Sequence, residues 1–535
     1  MANMVKKPVE QVGAPAAASS AVAKAVALHL EGKRPEALRE LNRAMESGED
    51  SPEVLSARGH LQYELAQYEE AVTSYSRLLD LMPNHPTASF NVAICLEKLS
   101  RWQEAGDAFE RALTYDTERL ETRLGLGISL LHLEKPEGAL TNFEKVLARD
   151  EKHETASFGK AVAYQLLWKF DEAAALYRKI LARNPRSEEC LVNLVTIGMA
   201  RKDDAMTRDY SEKLLTLRPS SQTALEGLAS CAFSANDFEA AATFCGKLVE
   251  ATPDHFERWF NLGVAMQKTG RLDKATDAYR NAIRIRPDAK QAYVNLGIVF
   301  QESGDLKAAK EMYEKALQVA PDLTDVQYNL ASVFEQAGAT EDAERMYSKL
   351  LSRNPDWEDA WFRLGHLRLK RNDYRTAAEA FLNCVRKRPD WNEANMNLAL
   401  CHWNLGDHQA AAKSFEAVLA HDNNSVDALR GLAALAIEKQ DFERALDLQA
   451  RLIEAGERTP ELFYNTGLLL QKSGQIDDAI RLYKEALAEK PQFAEALLNL
   501  GHAVKIQGNM DEARKLWRQA LEIKPELAAG YFDAR

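Results

Sequence analysis

Apolar residues recur along this chain at spacings of three and four, in two bursts per cycle, and the cycle then repeats. The stretch WFNLGVAMQKTGRLDKATDAYRNAIRIRP (259–287) lies 34 residues before YVNLGIVFQESGDLKAAKEMYEKALQVAP (293–321), and the two align without a gap. Rows of 34 fit from Ala18 to Leu527, fifteen in all, without one insertion or deletion. Position eight of each row is Gly or Ala in fourteen rows, and position twenty is Ala in fourteen. Position twenty-four is aromatic in eleven rows, and position thirty-two is Pro in ten. Positions four, seven, eight and eleven share one helical face, and twenty, twenty-four and twenty-seven share another. A glycine between the bursts, such as Gly270, Gly304 or Gly406, marks a helix end. The proline at thirty-two stops the second helix. Each row therefore predicts two antiparallel helices, with small residues at eight and twenty letting them approach and a ring at twenty-four filling the space beside them.

These residues carry a family resemblance. The row holding Trp259, Leu262, Gly263, Ala275, Tyr279, Ala282 and Pro287 resembles the tetratricopeptide repeat, and fifteen registered copies cover about 95% of the chain. The resemblance implies an all-α fold, a right-handed superhelical solenoid of stacked antiparallel helix pairs. It also implies that the first helix of each pair lines the concave face and the second the convex face. The predicted organisation is a flexible tail at 1–17, fifteen hairpins over 18–527 and a short tail at 528–535. Such a stack is expected to be elongated, because each repeat touches only its neighbours.

Position six of the first helix shares a face with two, nine and thirteen, opposite the packed positions, and so is expected to point into the groove. It is Asn in eight rows: Asn91, Asn193, Asn261, Asn295, Asn329, Asn397, Asn465 and Asn499. An amide offers two donors and an acceptor, and a column of them can pair with a peptide backbone whatever its side chains. The repeat region of O-linked N-acetylglucosamine transferases looks similar, and the resemblance implies an asparagine ladder for protein clients. The alternative is an amide that pairs with neighbouring helices. Row eleven replaces the amide with Arg363 and adds His366 and Lys370 on the same face. Trp403, at position twelve of the next row, is expected to be exposed close to that face, an aromatic anchor beside an Arg. The candidate peptide-binding set is Asn261, Asn295, Asn329, Arg363, His366, Asn397 and Trp403. Acids at position two, such as Glu257, Asp359, Glu461 and Glu495, suit the helix dipole and predict an acidic inner rim. Apolar residues at position five predict a wall that a ligand covers.

Row six departs from the pattern, with Val195 at eight and Thr207 at twenty, and rows six and seven carry Ser211 and Cys245 in place of the ring. A softer joint is expected there.

Composition narrows the function. The net charge of −12 argues against nucleic acid as a partner, and no stretch approaches the roughly 18 apolar residues of a membrane span. Six cysteines without C-x-x-C or zinc-ligand spacing suggest a reducing compartment, the cytoplasm. Cys95, Cys231 and Cys401 share position ten, so they are read as core residues. There is no Walker loop, no G-x-S-x-G and no H-E-x-x-H, and the 25 residues outside the repeats hold no catalytic domain. The expected protein is not an enzyme and uses no cofactor or metal. It is read as a scaffold or adaptor that binds an extended protein segment. A self-assembling array, or the client-recognition subunit of an enzyme on another chain, are the alternatives. Tyr531 and Phe532 begin an unfinished sixteenth row, so self-association through the C-terminal end is also expected.

Overall fold

The computed structural model describes residues 20–528. Among them are thirty α-helices, from Ser20–Leu30 to Met510–Ile523, a short 3-10 turn at Pro525–Ala528, and no strand. Nearly all of both predicted tails, with Tyr531 and Phe532, lies outside the described residues, so the expected self-association does too. The chain divides into two compact units, Met1–Pro287 and Asp288–Arg535. The first holds eight helix pairs and the second seven, and within each unit the pairs stack in chain order. We call the first and second helix of each repeat A and B.

Each hairpin is set by its turn and its core. Position fifteen, after the A helix, takes the left-handed conformation: Gly270, Gly304, Gly338, Gly406, Gly474 and Gly508 have φ of 72–88°. Glycine does this without a Cβ penalty. The next residue is often an aspartate that caps the B helix, as Asp203, Asp305 and Asp407 do by accepting from the backbone N–H three residues on. The interior then follows from positions eight, twenty and twenty-four. Tyr279, Tyr313, Tyr347 and Tyr483 are wholly buried, and the alanines at position twenty beside them are equally so. A Cβ built on Gly297 would sit 2.6 Å from Tyr313 Cε1, so the ring takes the place a side chain would need.

Where rows six and seven lack the ring, smaller residues close the gap. Val195, Thr207 and Ser211 are buried, and a Cβ on Gly227 would meet all three within 3.0 Å. All six cysteines are free and buried. No helix among the described residues is long and apolar enough to cross a membrane.

Candidate functional site

In five of the six repeats with a tyrosine at position twenty-four, all but that of Tyr75, its hydroxyl is positioned by position twelve of its own A helix. Tyr177 donates to Gln165 at 3.2 Å, Tyr313 to Gln301 at 3.0 Å, Tyr347 to Glu335 at 3.2 Å and Tyr483 to Gln471 at 2.8 Å. Where the ring is Phe the partner is apolar in three repeats: Leu131 with Phe143, Leu369 with Phe381, and Trp403 with Phe415. This corrects the expectation for Trp403. It is half-buried, edge-on to Phe415 at 6.2 Å and 82°, because position twelve packs into its own hairpin and not onto the face of position six.

Position six also lies closer to the core than its helical phase implies. In four repeats it is glycine, and in the three that follow a ring a Cβ there would collide with that ring: Gly125 with Phe109 at 2.3 Å, Gly159 with Phe143 at 2.5 Å and Gly431 with Phe415 at 2.5 Å. Asn91 is buried, 3% exposed. Within each unit the B helix of one repeat packs on the A helix of the next, and where it carries a ring, that ring reaches the backbone at position six. The reading of this position as remote from packing is therefore wrong at the backbone.

The side chains at position six divide by what stands at position five of the preceding repeat. Tyr464 is such a residue, and Asn499 donates to its hydroxyl at 2.9 Å. Tyr328 is another, and it hydrogen-bonds Arg363, whose guanidinium also meets Glu335 at 3.6 Å. Arg363 is thus tied to the neighbouring repeat, although half of its side chain stays exposed. Asn329 follows Val294 and Asn397 follows Phe362, neither of which offers a polar group. Both asparagines are half-exposed, and no hydrogen bond within the described chain engages their amides. Asn295, half-exposed, does have a partner within the chain. His366 is half-buried, and its Nδ1 has no hydrogen-bond partner. Register places Asn295, Asn329, Arg363 and Asn397 in one column of the second unit, with His366 one turn beyond Arg363. Asn261 is exposed and belongs to the first unit.

Two other expectations change. Four of the ten acids at position two meet a base at position thirty-one, among them Glu257 with Arg286 at 2.8 Å, Glu461 with Lys490 at 3.2 Å and Glu495 with Lys524 at 2.6 Å. Asp359 approaches Arg388 at 3.8 Å. Glu257 and Glu495 are held below the ordinary carboxylate range: for Glu257 a backbone hydrogen bond leads and Arg286 adds to it, while for Glu495 Lys524 leads. The inner rim is therefore neutralised only in part. The rings at position five are covered by the chain itself, Tyr328 by Trp357 at 5.1 Å and Phe362 by Trp391 at 4.5 Å, both stacked.

Models of the tetratricopeptide repeat match residues 56–118, 124–188, 208–255, 362–425 and 464–528, and further such models match 256–322, 300–366 and 402–463. The chain belongs to the tetratricopeptide repeat family. Its fold is that family's all-α stack of antiparallel helix pairs. No curated protein matches it. Among solved structures it is similar to YrrB, described as a TPR protein with an unusual peptide-binding site, at 20% identity over 36% of this chain and 98% of that one, with a TM-score of 0.32. A tetratricopeptide repeat protein from Parabacteroides merdae is 19% identical over 50% of this chain and 98% of its own, with a TM-score of 0.32. The Naa15/Naa10 complex bound to HypK aligns over 95% of this chain and 94% of that one at 14% identity, with a TM-score of 0.33.

Within this TPR array, sequence reasoning missed the link from position five to position six. The signal was present: Tyr328 precedes Arg363, and Tyr464 precedes Asn499, each by 35 residues. It also missed a side-chain cluster in the first two TPR hairpins, His29, His60 and Glu64, whose members come from two repeats.

Proposed function

We propose that this TPR protein is an adaptor that holds an extended segment of a protein partner along the A helices of its second unit. TPR proteins bind protein partners, and a protein-interaction scaffold is what the repeats support. The observation that carries the finer reading is the pair of half-exposed amides of Asn329 and Asn397, which the chain leaves unengaged. Two repeats apart in one column, they can grip the backbone of a peptide, with Asn295 beside them. Arg363 lies between them, held by Tyr328 and Glu335 and ready for a carbonyl or carboxylate of the partner. His366 lies one turn beyond Arg363 and offers the exposed part of its ring, its Nδ1 being buried. Asn261, on the first unit, is a separate exposed amide of the same kind, and Trp403, packed into its own hairpin, is left out of the set. The acidic composition fits a protein partner and not nucleic acid, and six buried free thiols fit the cytoplasm.

A photo-crosslinking residue placed at 329 or 397 tests this in lysate of the source cells. The reading predicts a discrete crosslinked partner from both sites and none from Lys315, an exposed B-helix residue. Equal labelling from Lys315, or none from 329 and 397, contradicts it.

A further inference from the structure

The first two repeats bring together three side chains that the adaptor reading does not use. His29 lies near the end of the A helix Ser20–Leu30, and His60 and Glu64 lie one turn apart on the A helix Pro52–Glu64. His29 Nε2 is 2.7 Å from Glu64 Oε2, and His60 Nε2 is 3.8 Å from Glu64 Oε1. The two rings meet edge to face with centroids 6.0 Å apart. All three side chains are half-buried, and one ligand atom from each lies within 4.8 Å of the others. In a tetrahedral site with bonds of about 2.0–2.1 Å, ligand atoms stand roughly 3.3 Å apart. The observed spacings bracket that value, so rotamer adjustments at His29 and His60 are enough to converge on one point.

We propose that His29, His60 and Glu64 form a binding site for one divalent transition-metal ion of the zinc class. Two imidazoles and one carboxylate are a donor set such ions take, and three protein ligands leave a fourth position open for water or a partner's side chain. Glu64 would present Oε1 to the ion. Its Oε2 already accepts from Arg34 Nε at 2.9 Å, a contact that fixes the carboxylate's orientation as outer-shell bonds to ligands do. Each imidazole binds through its neutral form, so the ion displaces a proton wherever one is held. A simple ion pair would need only His29; the second imidazole, set one turn before Glu64 on the same face, is what a metal adds a reason for. The ion would bridge the first hairpin to the second and steady the amino-terminal repeat.

The test uses the full chain, free of any affinity tag and stripped with a chelator, titrated with zinc by calorimetry and with cobalt(II) by visible absorption. The expected result is one zinc per chain and a cobalt band of tetrahedral intensity. Near-isosteric His60→Gln and Glu64→Gln variants should each weaken binding about a hundredfold or more, while His402→Gln binds like wild type. Hydrogen exchange on the wild-type chain supplies a readout independent of any variant: zinc should protect 20–30 and 52–64 and leave the other hairpins unchanged. Absence of stoichiometric binding overturns the proposal. Binding that survives both substitutions, or protection centred on another hairpin, overturns it as well.

Discussion

Gly125→Ala is the sharpest test of how these repeats dock on one another. Gly125 lies inside the A helix Leu120–His132, where alanine is intrinsically better by about 1 kcal/mol. The added Cβ, however, would lie 2.3 Å from Phe109 Cζ and 2.7 Å from both Cε atoms. Carbon atoms pack at about 3.5–4.0 Å, so the ring must retreat by roughly 1 Å or more. Phe109 is wholly buried, with Phe90 packed beside it at 6.1 Å, so its retreat must displace other core side chains. Overpacking costs about 1–3 kcal/mol, and a clash this close against a buried ring belongs at the upper end, so after the gain in propensity of about 1 kcal/mol the net loss is up to about 2 kcal/mol. Gly246 is the control. It also lies inside a helix, Phe238–Ala251, but nothing stands within 4 Å of its would-be Cβ. Gly246→Ala should therefore stabilise by about 0.5–1 kcal/mol. A chain of fifteen repeated hairpins has no single two-state unfolding free energy, so the comparison is made locally, by native-state hydrogen exchange over 102–132 and 238–251. Phe109→Leu should relieve much of the clash, giving a coupling of about 1 kcal/mol or more with Gly125→Ala. If Gly125→Ala raises protection as Gly246→Ala does, the ring does not sit against position six and the account of the repeat seam is wrong.

The buried hydrogen bond between Gln301 and Tyr313 predicts a second cycle. Gln301→Leu alone leaves a buried hydroxyl unpaired and should cost about 1–3 kcal/mol, whereas Gln301→Leu with Tyr313→Phe recreates the Leu131–Phe143 and Leu369–Phe381 pairings and should recover most of that in local exchange. His85 caps the helix Pro86–Lys98 by accepting from Ala88 N at 3.1 Å, and burial holds its pKa below the ordinary 6.5. The unfolded chain then binds the proton more readily than the folded one. Stability is fully present above about pH 6.5 and is lost as pH falls below it, through the folded value. His85→Asn keeps an acceptor without titrating, so exchange over 86–98 should depend less on pH between 7 and 5 than in wild type. The carboxylates of Glu257 and Glu495 are depressed in the folded state, so what they contribute is present above their ordinary 4.5 and is lost as pH falls below it. Melting followed from pH 6 to 3 should show that further decline, weakened by added salt.

The hairpins were legible in the sequence because their determinants are local and periodic. Gly297, Ala309 and Tyr313 lie within seventeen residues of one another, and each is needed to let two helices touch. The surroundings of position six were not, because they depend on two residues of the preceding repeat. The ring of Phe109 decides that Gly125 has no side chain, and the hydroxyl of Tyr464 decides where Asn499 points. Helical phase alone put all these residues in the groove. Trp403 failed for a similar reason: its partner Phe415 faces it across the hairpin, and only the pairing of positions twelve and twenty-four reveals this. The acids at position two were read from the helix dipole, yet their pairing with Arg286, Lys490 and Lys524 needed the far end of the B helix. His29 was passed over because its partners, His60 and Glu64, belong to the next repeat.

The asparagine column is the central claim, and one affinity comparison tests it most directly. Extended peptides selected from a random library against the full chain are titrated, by fluorescence anisotropy, into wild type and into an Asn295→Ala, Asn329→Ala, Asn397→Ala variant with matching circular dichroism. Each lost backbone hydrogen bond is worth about 0.5–1.5 kcal/mol, so three together should weaken binding about a hundredfold. Equal affinity in the folded variant would contradict the account and leave these asparagines to the packing of one repeat on the next.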